Sequence, residues 1–128
     1  MNISELREWT RNKAELELQA LDFVDGYMMN VDFVAGNKVF LGIGTYDEML
    51  SIIKDMKCHD EKVDLDSYYA SDDDTLCVKY NVRKCLIIFF VNDLEKSTER
   101  ISNGKCKVII KTTGKTTREV ECQLEGAE

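Results

Sequence analysis

Residues 85–91 read Cys-Leu-Ile-Ile-Phe-Phe-Val. The run is far too short to span a bilayer, which takes ~20 apolar residues. It has the length of a strand and is apolar at odd and even positions alike. Side chains alternate between the two faces of a strand, so this one is buried on both and belongs in the middle of a sheet. With the run Leu76–Val82 before it, the stretch Lys84–Val91 makes a β-hairpin. Ile87, Ile88, Phe89 and Phe90 are expected in the core.

Two further hairpins flank this one. Upstream, Tyr27–Ala35 and Lys38–Ile43 enclose Gly36-Asn37, a pair suited to a tight turn because glycine adopts positive φ without steric cost. Downstream, Lys105–Thr113 and Thr116–Leu124 flank Gly114. There Cys106, Val108 and Ile110 alternate with Lys105, Lys107 and Lys111, which predicts one buried face, with Val108 and Ile110 in the core, and one wet face.

A helix-forming segment precedes each hairpin. Ser4–Val24 is rich in Glu, Leu, Ala and Gln, with Leu6, Trp9, Ala14, Leu18, Leu21 and Val24 at largely helical spacing. Thr45-Tyr46-Asp47-Glu48 fits a capping box. The threonine hydroxyl accepts from the Glu48 amide while the Glu48 carboxylate reaches back to the Thr45 amide. The helix it starts runs to about Lys57 and buries Met49, Leu50, Ile53 and Met56. Asn92-Asp93-Leu94-Glu95 opens a third helix, stopped at Asn103-Gly104 by a left-handed cap. The order α-ββ-α-ββ-α-ββ predicts an α+β fold: a single domain over residues 1–128, with a mostly antiparallel sheet from three hairpins and about three helices.

Charge is distributed unevenly along this scaffold. The chain of 128 residues carries a net charge of −7. Between Cys58 and Asp74 stand Asp60, Glu61, Asp64, Asp66, Asp72, Asp73 and Asp74, opposed only by Lys62. Seven carboxylates against one lysine leave this segment at −6, so it dominates the long-range field of the protein. Residues 58–74 read as an acidic loop within the domain, punctuated by Tyr68 and Tyr69. Loops of this length are uncommon in compact domains and are often functional.

Most chemical readings fail on spacing. A calcium loop counted from Asp64 needs glycine at its sixth position and glutamate at its twelfth; Tyr69 and Thr75 stand there. The five cysteines, Cys58, Cys77, Cys85, Cys106 and Cys122, include no C-x-x-C pair, and His59 is the only histidine, so no zinc or other metal site is expected. All five are expected as reduced thiols, the last four as small, mostly buried strand residues, although the hairpins would allow Cys77 to lie opposite Cys85 and Cys106 opposite Cys122. Gly42 and Gly44 precede a helix, but the dinucleotide fingerprint would require a third glycine at Asp47. Cys58-His59 offers no separated nucleophile and base. Lys105, Lys107, Lys111, Lys115 and Arg118 form a basic stretch, yet the isoelectric point is about 4.8 and no aromatic residues interleave with them. These cations are expected to guard an edge strand or to pair with the acidic loop. No catalytic residue or cofactor is assigned.

What remains is an acidic, non-enzymatic interaction protein. It is expected to bind, and to inhibit, a basic partner such as a nucleic-acid-binding protein. Asp60, Glu61, Asp64, Asp66, Asp72, Asp73 and Asp74 would imitate a phosphate backbone, and Tyr68 and Tyr69 would anchor the contact. Direct binding of nucleic acid and membrane insertion are not expected. The N-terminus shows no basic start followed by an apolar run, so a cytoplasmic protein is expected. In size, acidity and lack of known motifs the chain resembles small counter-defence proteins of phages, including anti-CRISPR inhibitors of nucleic-acid-guided nucleases. That resemblance implies an inhibitor and assigns no residue roles. Two alternatives stand beside it: a small ligand-binding domain or enzyme using the Gly42–Thr45 turn, and an assembly subunit using an exposed strand edge.

Overall fold

The computed structural model describes residues 1–27, 30–71 and 74–122, the side chain of Thr113 apart. The fold is α+β, with the order α1 (Ile3–Asp25), β1 (Val31–Ala35), β2 (Lys38–Gly44), α2 (Tyr46–Cys58), β3 (Val63–Ala70), β4 (Leu76–Val82), β5 (Cys85–Val91), α3 (Leu94–Ser102), β6 (Cys106–Thr113) and β7 (Lys115–Cys122). The apolar run that opens the sequence reading is the middle strand of a five-stranded sheet ordered β1-β2-β5-β4-β3. Gly36 and Gly114 turn their hairpins at positive φ.

Three features depart from a stack of three hairpins. First, β2 and β5 pair in parallel, with Lys38 opposite Leu86 and Phe40 opposite Ile88. Every other pair is antiparallel. Second, β6 and β7 form a separate two-stranded sheet. Third, residues 63–70 of the acidic segment form the edge strand β3, antiparallel to β4, and not a loop. Val63, Leu65, Tyr68 and Ala70 stand on its inner face opposite Val82, Tyr80, Val78 and Leu76. The register slips between Leu65 and Ser67, so Asp66 is a one-residue bulge. A bulge breaks the period-two pattern by which a strand is recognised.

The core lies between one face of the sheet and the helices. Val39, Leu41, Leu76, Val78, Val82, Ile87, Phe89 and Val91 face Ala20 and Val24 of α1, Met49, Ile53 and Met56 of α2, and Leu94 of α3. The Tyr80 and Phe89 rings meet edge to face at 6.0 Å. On the other face Phe33 stacks on Phe40 at 4.2 Å, and Ile88 is buried among its neighbours. Of the four α2 residues expected in the core, Met49, Ile53 and Met56 are buried and Leu50 is 38% exposed, while Tyr46 and Ile52 also pack against the core. In α1 only Ala20 and Val24 are buried; Leu6, Trp9, Leu18 and Leu21 are exposed, and residues 1–16 are exposed throughout. Ile110 is 63% exposed, against the expected burial, because the β6–β7 hairpin is not part of the main sheet.

Helix ends follow their side-chain chemistry. Asn2 and Thr45 accept from the amides of Glu5 and Glu48, satisfying donors that have no partner within the helix. The reciprocal half of the capping box is not formed, and the Glu48 carboxylate lies over Gly44. The α3 cap falls one residue later than the sequence suggests, on Asp93. That helix ends in left-handed Asn103 and Gly104, with the Gly104 amide donating to the Glu99 carbonyl at 2.8 Å. Among the described residues no helix is long and apolar enough to cross a membrane.

Cys106 and Cys122 face each other in register across β6 and β7 and form a disulfide, which corrects the reading of five reduced thiols. Cys58, Cys77 and Cys85 remain free. The bond closes a loop with a sequence separation of 16. Closing a loop of that size removes about 3 kcal/mol of entropy from the unfolded chain in the chain-entropy account. Thiol titration of the denatured, unreduced protein should count three thiols, and five after reduction. Cys122→Ser should lower unfolding stability by about 2–3 kcal/mol in denaturant titration. Five reactive thiols without reductant would remove the disulfide from this fold.

Candidate functional site

The acidic segment begins where α2 ends. His59 caps that helix, its amide donating to the Asp55 carbonyl and its Nδ1 lying 2.8 Å from the same oxygen. Asp60 takes a positive φ of 61° and turns the chain toward β3. Glu61 then points inward. Its carboxylate accepts from Arg83 Nε at 2.9 Å and, more closely, from Arg83 Nη2. The Arg83 guanidinium in turn lies 4.7 Å over the Phe23 ring. Glu61 thus ties the α2–β3 turn to the β4–β5 turn and to α1. Its side chain is only 10% exposed, so it is a structural anchor and not a free surface charge.

The carboxylates of β3 are differently placed. Asp64 is largely exposed, with Lys62 at 3.8 Å as its ion partner. Such a pair in solvent contributes little to stability. The bulged Asp66 accepts from Asn81 Nδ2 at 3.1 Å and from Ser67 Oγ at 3.0 Å, which fixes its direction beside the edge. Asp74 is exposed at a positive φ of 57°, and its carbonyl accepts from the Leu94 amide at 3.3 Å. Asp72 and Asp73, which complete the sequence-derived set, lie outside the described residues.

The two tyrosines separate as neighbours on a strand must. Tyr69 is 47% exposed on the outer face, and Lys79 Nζ lies 5.2 Å over its ring. Tyr68 points the other way. Its hydroxyl is 3.2 Å from Cys106 Sγ and 4.0 Å from Cys122 Sγ. A disulfide sulfur carries no hydrogen, so the tyrosine O–H donates. Tyr68 therefore joins β3 to the β6–β7 hairpin. Of the basic residues of that hairpin, Lys111 pairs with Glu119 across it at 2.8 Å and Lys107 stands opposite Glu121, while Arg118 lines a shallow cleft with Tyr68 and Tyr69 of β3.

A second site stands at the carboxyl ends of the parallel strands. A cleft of about 370 Å³ is lined by Leu41, Met49, Ile52 and Phe89 on its apolar side, with Asp32 and Glu48 at its polar side. Both carboxylates lie against glycines: a Cβ on Gly42 would meet Asp32 Oδ1 at 3.0 Å, and one on Gly44 would meet Glu48 Oε2 at 3.0 Å. Asp32 and Gly42 sit at register shifts in neighbouring strand pairs, so the two bulges bring them together. The sequence reading marked Gly42 and Gly44 but not Asp32. A glycine inside a strand signals a bulge or a close approach, and that was the available clue. Among the described residues no three His, Cys, Asp or Glu side chains gather as a set of metal ligands.

No protein-family model, curated protein or solved structure matches this chain.

Tyr69 of β3 and Tyr80 of β4 give the fold an alkaline limit. A hydrogen bond to Cys77, then burial, pushes the Tyr69 hydroxyl up to about 12, and burial pushes Tyr80 up to about 12. An unfolded tyrosine titrates near 10. The folded state therefore holds these protons more tightly. The stability they add is complete below about pH 10 and is lost as pH rises toward about 12. Denaturation midpoints should fall across that window, and Tyr80→Phe should flatten the fall. A midpoint independent of pH in both proteins would contradict these environments.

Proposed function

We propose that this protein is a non-enzymatic binding protein that engages, and inhibits, a basic nucleic-acid-binding partner along the acidic edge of its sheet. The observation that carries the reading is the placement of Asp64 and Asp66 on the edge strand β3, between Asp60 at one end and Asp74 at the other. Carboxylates repeated along an exposed strand present a line of negative charge to a groove that ordinarily holds phosphates. Such a line steers encounter at long range and competes for lysines and arginines. Tyr69, exposed in the same strand, supplies a ring for desolvated contact. Glu61 and Tyr68 contribute by holding the strand in place.

The test uses a partner captured from a lysate at low and at high salt, followed by binding kinetics. Replacing Asp60, Asp64, Asp66 and Asp74 with asparagine should slow association about tenfold or more, and should flatten the salt dependence, because screening removes an attraction the variant lacks. Tyr69→Ala should act mainly on the dissociation rate. DNA added in excess should displace the protein from its partner. Unchanged rates in the asparagine variant would place the interface elsewhere.

A second reading rests on the cleft at Gly42–Thr45. Its charged lining residues, Asp32 and Glu48, are both acidic, and its floor is apolar. That combination suits a small organic cation with an apolar body, since clefts of this size hold ligands by apolar contact and are made selective by a few polar groups. Alkylamines should then raise the melting temperature of the wild-type protein and not that of Asp32→Asn/Glu48→Gln. Equal shifts in both would sink this reading.

A further inference from the structure

The N-terminal helix is much longer than the body it serves. At 1.5 Å per residue its 23 residues extend about 35 Å. Contact with the body begins at Glu17, whose carboxylate accepts from the Gly36 amide at 3.2 Å. Beyond it Ala20 and Val24 are buried and Phe23 and Tyr27 pack against the core. Residues 1–16 are exposed along their whole length. A helical segment of that size so exposed is marginal in water, because the nucleation cost is not offset by tertiary burial.

One heptad spacing crosses that boundary, apolar at every position but Lys13. Leu6, Trp9, Lys13, Leu16, Ala20, Phe23 and Tyr27 follow one another at alternating steps of three and four, the seam of a heptad pattern. The last three positions of the seam meet the protein's own core. The first four do not, and Leu6, Trp9 and Leu16 are 49%, 53% and 44% exposed. The same stripe that docks the helix onto the sheet thus continues uncovered for two further heptads.

We propose that this free half of α1 binds the free half of α1 from a second copy of the chain, in an antiparallel pair. Lys13 decides the direction. In a parallel pair equivalent positions meet, so two Lys13 ammonium groups would face each other in an apolar seam. In an antiparallel pair, Leu6 meets Leu16 of the second copy, and Lys13 meets its Trp9. A lysine over an indole face is a favourable cation–π contact, and the geometry already exists within one chain, where Lys13 Nζ lies 5.5 Å from the Trp9 ring. Antiparallel helices also set opposite dipole ends side by side. The flanking positions offer Thr10 to Thr10, Asn12 to Asn12 and Glu17 to Ile3, with no like-charge pair. Four layers make a small interface, of the transient class.

Sedimentation equilibrium on the full chain should show a monomer–dimer exchange with a dissociation constant on the order of micromolar to tens of micromolar. Trp9→Glu and Leu16→Glu should each weaken it about 100-fold, with unchanged thermal unfolding of the monomer, since both sites are exposed there. In a Cys58→Ser background, Thr10→Cys should form an intermolecular disulfide on oxidation, and Lys13→Cys should not. A chain that stays monomeric at about 100 µM, or a dimer indifferent to both glutamate variants, overturns the proposal. Efficient cross-linking through Lys13→Cys with none through Thr10→Cys overturns the antiparallel assignment.

Discussion

The parallel seam between β2 and β5 is the constraint on which the remaining architecture depends. The β1–β2 hairpin and the β3–β4–β5 meander are each locally connected and share no other strand pairing. Paired residues along the seam lie 48 positions apart as far as the bulge at Gly42, as Lys38 with Leu86 and Phe40 with Ile88 show. Its two ends are closed by hydrogen bonds, from the Leu86 amide to the Asn37 carbonyl and from the Asn92 amide to the Gly44 carbonyl. Parallel strands require a crossover, and α2 supplies it by carrying the chain from β2 over the core to the far edge. That route gathers the helices on one face, makes β3 an edge, and opens the cleft where both parallel strands end.

What the sequence disclosed, and what it withheld, divides along the range of the interactions. The central position of β5 was legible because being apolar on both faces is a local property of seven residues. The turns at Gly36 and Gly114 and the Thr45 cap were legible for the same reason. Nothing local tells β2 to pair with β5 and not with a strand nearer in the chain. The bulge at Asp66 hid β3, since a single inserted residue moves Tyr68 to the inner face against the alternation set by Val63 and Leu65. In α1 the apolar stripe was visible, but the stripe alone does not say how much of its length the body covers.

The candidate site divides in the same way. A concentration of negative charge can be counted in a sequence, so the acidic segment stood out. The separation of its members into free and engaged groups depends on distant residues. Arg83 takes Glu61 inward, and the Cys106–Cys122 disulfide takes the Tyr68 hydroxyl. Tyr69, one residue later, is left at the surface beside Lys79. Among the described residues, Asp60, Asp64, Asp66 and Asp74 remain exposed.

An edge strand exposes unpaired amides and carbonyls, and β3 exposes its own beside ionised carboxylates. Ionised, these groups resist the addition of another strand, because a second copy of the same edge would bring like charges together. The strand that lies outermost in the sheet is thus guarded against edge-to-edge pairing by its own side chains.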